Sequence, residues 1–183
     1  MSNSKVLNKK NTLLIAMAGM FMALEFIFER YLSISTPIVR ISFTFIPRAL
    51  AGMCVGIVLA GLASLLADIV GAIIFYGASI NPMISLAALC SGLILAWLYK
   101  KGKPGIVKIS TAAILDQFFC GLLLTSLGLI WFGGVPNALE FWITRVTKCA
   151  IMAAVEIPIL ILCTKAIYPL LRSFLNRNGL KVS

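Results

Sequence analysis

One stretch of the sequence constrains the fold more than any other. Between Ala49 and Tyr99 the chain has 51 residues and a single charged side chain, Asp68. A run this long and this apolar is typical of membrane-spanning helices, not of a soluble core. Lys100, Lys101 and Lys103 follow it directly, as basic residues do on the cytoplasmic side of a span. The sequence therefore predicts several membrane helices that end at a cytoplasmic basic loop.

The composition extends this prediction to the whole chain. Hydrophobic residues make up 61% of the 183 residues, and the mean hydropathy is +1.03. Because one crossing needs about 20 residues, the chain has room for about six spans and no separate soluble domain. We therefore predict an all-α membrane protein with a single integral-membrane domain over residues 1–183. The predicted spans are 12–31, 43–59, 60–76, 82–99, 109–132 and 141–166.

The basic residues predict the orientation of the spans. They concentrate before the first span, after the fourth and after the sixth. The positive-inside rule places all three segments in the cytoplasm, and only an even number of spans allows this. Six spans then leave both termini cytoplasmic. The net charge of +10 is explained by these flanking residues, so the expected partner is the lipid bilayer and no nucleic acid is expected.

Several kinds of chemistry are not expected. The chain has no histidine, and its five cysteines lie in apolar stretches without a C-x-x-C spacing, so no metal site is predicted. Its deep carboxylates, Asp68, Asp116 and Glu156, fall on three separate predicted helices. No nucleotide-binding G-x-x-x-x-G-K-[ST] motif occurs. We predict no catalytic residues, although an intramembrane enzyme or a membrane scaffold subunit remains an alternative.

Ionisable side chains within spans are costly and need an explanation. Arg48 and Asp68 lie at similar depth below the predicted outer side, so they either form a structural ion pair or line a polar cavity. Arg145 and Lys148 lie three residues apart on one helical face, which suits an anionic ligand or snorkelling to headgroups. Glu25 and Glu29 fall near the outer end of the first span, where a solvated face is the plain explanation.

Four stretches of the chain resemble the folate-type substrate-binding subunits of energy-coupling factor (ECF) transporters. Residues Arg40–Gly52, RISFTFIPRALAG, resemble that family's R-x-S-F-x-F-I-P-x-A-L-x-G, and Ala67–Gly71 contains its D-x-x-G. Pro82–Ala88 is similar to its P-G-F-T-L-S-A, and Arg145–Lys148 to its R-x-x-K. Helix number and topology agree as well, so the resemblance covers essentially the whole chain.

The resemblance implies a vitamin-binding subunit, without catalytic activity, in a bacterial cell membrane. Its partners would be a transmembrane coupling subunit and two cytoplasmic ATPase subunits, which use the ATP, so no cofactor is expected in this chain. Folate is the leading ligand. The family's aromatic F-F-P-G-F-T is Ser79–Ile84 here and has lost its aromatic residues, so another small heterocycle, such as a hydroxymethylpyrimidine, is the alternative.

The resemblance and the placement of polar residues together give the candidate sites. Small residues in the first span are the expected contact for the coupling subunit: Ala16, Gly19 and Ala23. Eight residues toward the outer side are the candidates for binding the vitamin: Arg40, Phe43, Arg48, Asp68, Asn81, Trp131, Arg145 and Lys148.

Overall fold

The computed structural model describes residues 2–35, 40–76, 81–100, 103–132, 134 and 139–177. Within this set, side chains are described for 11–33, 42–74, 81–100, 103–132, 134, 139–171 and 173. The described chain is helical apart from one antiparallel pair of two-residue strands, β1 (Ile34–Ser35) and β2 (Arg40–Ile41). The helices are α1 (Ser2–Arg30), α2 (Phe45–Val55), α3 (Ile57–Tyr76), α4 (Pro82–Leu98), α5 (Ile106–Leu115), the π-helix π1 (Asp116–Leu124), α6 (Thr125–Trp131), α7 (Leu139–Ala166) and α8 (Tyr168–Arg177).

The helices have the length and composition of membrane segments. Four described stretches are long and apolar enough to cross a bilayer: Asn11–Arg30, Ile57–Ile74, Ile106–Trp131 and Leu139–Ala166. Two shorter apolar helices, α2 and α4, complete the set. The prediction of an all-helical, membrane-type chain is confirmed. The number of crossings and the position of the termini stay predictions.

The break between the second and third helices lies at a glycine. Gly56 separates α2 from α3 and has φ +86° and ψ 174°, a backbone conformation that side-chain-bearing residues rarely adopt. The predicted boundary between residues 59 and 60 was wrong, because it lies inside α3. The position of the real break has a local cause. The chain turns at Gly56, where glycine allows the positive φ, and not in the middle of the apolar run.

Small residues allow the central helices to approach closely. A Cβ on Gly52 in α2 would lie 2.4 Å from the Cα of Ala96 in α4. A Cβ on Gly92 in α4 would lie 3.0 Å from the Cα of Gly61 in α3. Backbones pack directly against each other at these two points, and α2, α3 and α4 therefore form one compact layer beside α1.

The fifth span is a single continuous helix with a wide segment in its middle. The predicted span 109–132 corresponds to α5, π1 and α6, which follow each other without a loop. The wider turn leaves backbone carbonyls to be satisfied, and Thr125 Oγ1 donates to the carbonyl oxygen of Cys120 at 2.7 Å. Segments of π-helix are frequent at functional sites. Here π1 brings Asp116 and Cys120, both buried, to the inside of the bundle.

Candidate functional site

A cavity of about 530 Å³ lies among the described helices. Its size is within the range of about 300–1,000 Å³ usual for small-molecule sites. Its charged and amide side chains come from α1, α2, α3, π1, α7 and the residue before α4: Glu29, Arg30, Arg48, Asp68, Asn81, Asp116, Gln117 and Lys148. The structure thus brings four of the eight predicted binding residues to one cavity, namely Arg48, Asp68, Asn81 and Lys148.

Arg48 forms a buried ion pair with α1. Its Nε lies 2.5 Å from Glu25 Oε1, and its Nη1 donates to Ser91 Oγ at 2.8 Å. Ser64 Oγ donates to the other carboxylate oxygen of Glu25 at 2.8 Å. Four helices, α1 to α4, therefore meet in one hydrogen-bonded cluster at the cavity wall, and the carboxylate of Glu25 is compensated as a buried charge must be.

Two interpretations of the charged residues were wrong. Arg48 does not pair with Asp68, since its hydrogen bonds go to Glu25 and Ser91. Glu25 does not lie on a solvated face, because it is only 2% exposed. The physical reason is the rotation of α1, which turns Glu25 toward the bundle at the level of Arg48. Asp68 instead accepts a hydrogen bond of 2.6 Å from Ser85 Oγ.

Asn81 holds two helices together at the edge of the cavity. Its Oδ1 accepts hydrogen bonds from the backbone N–H groups of Met83 and Ile84, at 3.2 and 3.4 Å, and so caps α4. Its Nδ2 donates to the carbonyl oxygen of Gly128 in α6 at 2.7 Å. Pro82 occupies the first turn of α4, where it is well tolerated. Asn81 thereby fixes the position of α6 beside the start of α4.

The π-helix supplies polar groups that face α7. Gln117 Nε2 donates to Glu156 Oε2 at 2.8 Å, and Glu156 is fully buried. Within the part of the chain that the structure describes, Asp116 Oδ1 and Glu156 Oε1 have no hydrogen-bond partner. Two buried carboxylates with spare acceptor capacity lie in this region.

The two candidate cations of α7, Arg145 and Lys148, have different environments. Lys148 lines the cavity. Arg145 is buried away from the lining: its Nε donates to Ser126 Oγ at 3.0 Å, and its guanidinium lies 5.8 Å from the ring centroid of Phe141. Of these two candidates, Lys148 therefore lies at the cavity and Arg145 does not.

Three other predicted residues lie away from the cavity lining or outside the description. Phe43 is half-buried and contacts Phe45, with 6.2 Å between the ring centroids. Trp131 is 68% exposed at the end of α6. The backbone of Arg40 belongs to β2, but its side chain lies outside the described set, as do residues 77–80 of the altered loop.

Sequence reasoning missed part of the cavity. Glu29 and Arg30, at the end of α1, line it, and neither was a candidate. Asp116 and Gln117 line it as well; this polar pair stands out in the apolar fifth span, but the sequence favoured an inner polar contact for it over a contact with the ligand. Gln117 lies in π1, and no sequence motif predicts the wider turn of this segment.

The small residues predicted to contact a partner lie on the outside of α1. Ala16, Gly19 and Ala23 are exposed, and a Cβ on Gly19 would meet no other atom within 4 Å. The opposite side of the helix carries the buried residues Met17 and Phe21. The strip of Ala16, Gly19 and Ala23 is therefore a smooth surface that faces away from the bundle.

Comparison with known proteins agrees with this arrangement. The sequence matches the family "ECF transporter, substrate-specific component" over residues 13–168. It is 34% identical over 144 residues to the folate transporter FolT of Clostridium novyi (strain NT), covering 79% of this chain and 83% of that protein. The fold is similar to the crystal structure of FolT bound with folic acid, with a TM-score of 0.73 and 29% identity over 85% of this chain and 92% of that one.

The matches confirm the resemblance that the sequence motifs indicated. They assign the chain to a family of transporter components, which excludes the alternative of an intramembrane enzyme. With the family matched over most of its length, the chain belongs to the substrate-specific components of ECF transporters.

Proposed function

We propose that this chain captures folate from outside the bacterial cell membrane and delivers it for ATP-driven uptake. The observation that carries the proposal is the cavity of about 530 Å³ in a fold similar to that of a folate-bound FolT. The sequence similarity to a folate transporter supports the same ligand.

The chemistry of the cavity suits the two ends of folate. The heterocycle of folate presents N–H donors, for which Asp68, Asp116 and Gln117 offer oxygen acceptors. The other end of folate carries two carboxylates, and Lys148 contributes positive charge to the lining. A site with both kinds of group favours an amphoteric ligand over a purely apolar one.

The topology and assembly belong to the same proposal. We infer six crossings with both termini in the cytoplasm, since the two shorter apolar helices, α2 and α4, lie within the same bundle as the four long ones. A transmembrane coupling subunit would dock on the exposed strip of Ala16, Gly19 and Ala23. Two ATPase subunits attached to it would hydrolyse the ATP, so this chain needs no cofactor.

Ligand binding is tested by equilibrium dialysis of the purified, detergent-solubilised chain against radiolabelled folate. We expect saturable binding of one folate per chain. Unlabelled folate should displace the label, whereas a hundredfold excess of a hydroxymethylpyrimidine should not. The absence of saturable folate binding, or displacement of the label by the pyrimidine as effectively as by unlabelled folate, would contradict the proposal.

The proposed docking strip is tested with Gly19→Leu. A leucine side chain would separate α1 from a closely packed partner helix, so we expect folate uptake in cells to fall at least tenfold while folate binding by the purified chain is unchanged. The matched control is Ala150→Leu, an equally exposed small residue on α7, which should leave uptake intact. Normal uptake by Gly19→Leu at equal expression would place the docking surface elsewhere.

A further inference from the structure

We propose that Glu156 binds a proton, so that it is a neutral carboxylic acid in the folded protein at neutral pH. The proton site lies between π1 and α7, where Gln117 contacts Glu156 and Asp116 is the neighbouring acid. It is a binding site separate from the cavity, and its ligand is a hydrogen ion taken from solvent. Only the effect of this proton on folate affinity rests on the proposed function.

One carboxylate oxygen of Glu156 is left without compensation. The side chain is fully buried, and Gln117 Nε2 donates to its Oε2 at 2.8 Å. Its Oε1 is closed off from solvent and, among the described residues, has no hydrogen-bond partner. A buried ionised carboxylate needs donors or a counter-charge, and without them it is neutralised instead. Water has no access to Oε1, whereas a proton needs no additional space.

The charges that act on Glu156 do not balance it. Asp116 on the adjoining π1 repels a negative charge there, and Arg48 of α2 attracts one. Arg48, however, is hydrogen-bonded to Glu25 of α1 and is also attracted to Asp116. If all three acids were ionised, this arginine would face three negative charges. A proton on Glu156 relieves that excess.

The described lysines and thiols of the helices that pack against π1 and α7 do not supply a counter-charge either. Lys148 precedes Glu156 by eight residues, about 12 Å along α7, and Lys165 is exposed nine residues after it. Lys108 of α5 donates to the carbonyl oxygen of Leu98 at 2.7 Å. Thiols and phenols are uncharged at neutral pH, and those that α4, π1, α7 and α8 contribute are Cys90, Cys120, Cys149, Cys163 and Tyr168.

The proton is assigned to Glu156 rather than to Asp116 because Asp116 has a stronger donor. Arg48 Nη1 donates to Ser91 Oγ at 2.8 Å, so the single hydroxyl proton of Ser91 is left to donate elsewhere. Ser91 forms a side-chain hydrogen bond with Asp116. The charge of Asp116 is thereby linked to Arg48. Glu156 has the neutral amide of Gln117 in the corresponding position.

The proton site is connected to the cavity by Gln117. This residue lines the cavity and donates to Glu156, so a charge on Glu156 would lie directly behind the cavity wall. Folate carries two carboxylates and is repelled by such a charge. Glu156 is neutral at the lower pH and ionised at the higher pH, and we therefore expect folate affinity to fall when alkaline pH removes the proton.

Infrared spectroscopy of the purified, folate-free chain tests the proton directly. A carboxylic acid has a C=O stretching band at higher frequency than a carboxylate, and carbon-13 in the carboxyl group of glutamate shifts the bands of glutamate alone. We expect a glutamate carboxylic-acid band at neutral pH that is absent in Glu156→Gln. Glu140→Gln is the matched control, because Glu140 is exposed on the same helix, and it should retain the band. No glutamate acid band in the unmodified protein, or a band that persists in Glu156→Gln, would overturn the proposal.

The stability of Glu156→Gln is a second readout. Glutamine has the shape of a neutral glutamic acid, so the variant should unfold at the same denaturant midpoint as the unmodified chain. Glu25→Gln provides the contrast: it removes a charge that is paired with Arg48 and should lower the midpoint. Equal losses in the two variants would show that Glu156 acts as a charged group, which contradicts the proposal.

Equilibrium dialysis with radiolabelled folate, from neutral to alkaline pH, tests the link to the cavity. At neutral pH the unmodified chain and Glu156→Gln should bind folate equally. At alkaline pH the unmodified chain should lose roughly threefold or more in affinity relative to Glu156→Gln, in which no charge can form. The same decline in both proteins would overturn the link. Absence of folate binding at every pH, with the infrared band present, would remove the proposed function and leave the proton site established.

Discussion

Replacing Glu25 with alanine is expected to lower the free energy of unfolding by about 3–5 kcal/mol. The carboxylate is 2% exposed and pairs with Arg48, whose side chain is only 14% exposed. Removing it leaves the guanidinium in the bundle interior with Ser91 Oγ as its remaining described hydrogen-bond partner. It also removes the acceptor of the Ser64 hydroxyl. Removing one partner of a buried ion pair costs far more than the loss of an exposed ion pair.

The measurement is reversible unfolding of the detergent-solubilised chain by a graded denaturing detergent. Glu140→Ala is the control, because Glu140 is exposed at the start of α7 and should change stability by less than about 0.5 kcal/mol. The double variant Glu25→Ala with Arg48→Met removes both charges and should recover most of the loss. Equal stability of Glu25→Ala and Glu140→Ala, or a double variant no better than the single one, would contradict the account.

The helices were predictable because hydropathy and helix length are local properties. Every predicted span overlaps an apolar helix, and the basic loop at Lys100 follows α4 as expected. The short sequence motifs also indicated the family correctly. These features depend on composition over about 20 residues and on short motifs, so they do not require knowledge of how the helices are rotated.

The pairing of charges was not predictable in the same way. Estimates of depth in the membrane placed Arg48 and Asp68 at one level. Such estimates do not take into account how each helix is rotated about its axis. Glu25 lies at a comparable level on α1, and only the packed structure decides which acid faces the arginine. Arg145 and Lys148 illustrate the same limit. They are neighbours on one helical face, yet Arg145 makes a buried hydrogen bond with Ser126, whereas Lys148 lines the cavity.

The spacing of small residues does not determine their roles either. Gly52, Gly56 and Ala60 form one regular small-residue pattern in the sequence. In the structure Gly52 packs against α4, Gly56 ends α2 with a positive φ, and Ala60 is a buried residue of α3. One pattern therefore serves a close approach, a chain turn and ordinary packing. The first of these roles leads to the second large effect that we expect.

Gly52→Ala is expected to destabilise the bundle by about 3 kcal/mol. The new Cβ would lie 2.4 Å from the Cα, 2.8 Å from the Cβ and 3.2 Å from the backbone nitrogen of Ala96. Backbone atoms cannot rotate away, so α2 and α4 must move apart, which is the costly end of the range for overpacking. The same unfolding titration measures this loss.

Two other glycine-to-alanine variants make the interpretation specific. At Gly61 the added methyl meets Leu93 Cδ2 at 2.7 Å, and because this flexible side chain can move, the loss should be smaller than for Gly52→Ala. At Gly19, where a Cβ meets nothing within 4 Å, alanine should stabilise α1 by about 0.5–1 kcal/mol through its higher helix propensity. If all three variants changed stability equally, helix propensity rather than backbone contact would explain the effect, and the close approach of α2 and α4 would not contribute to stability.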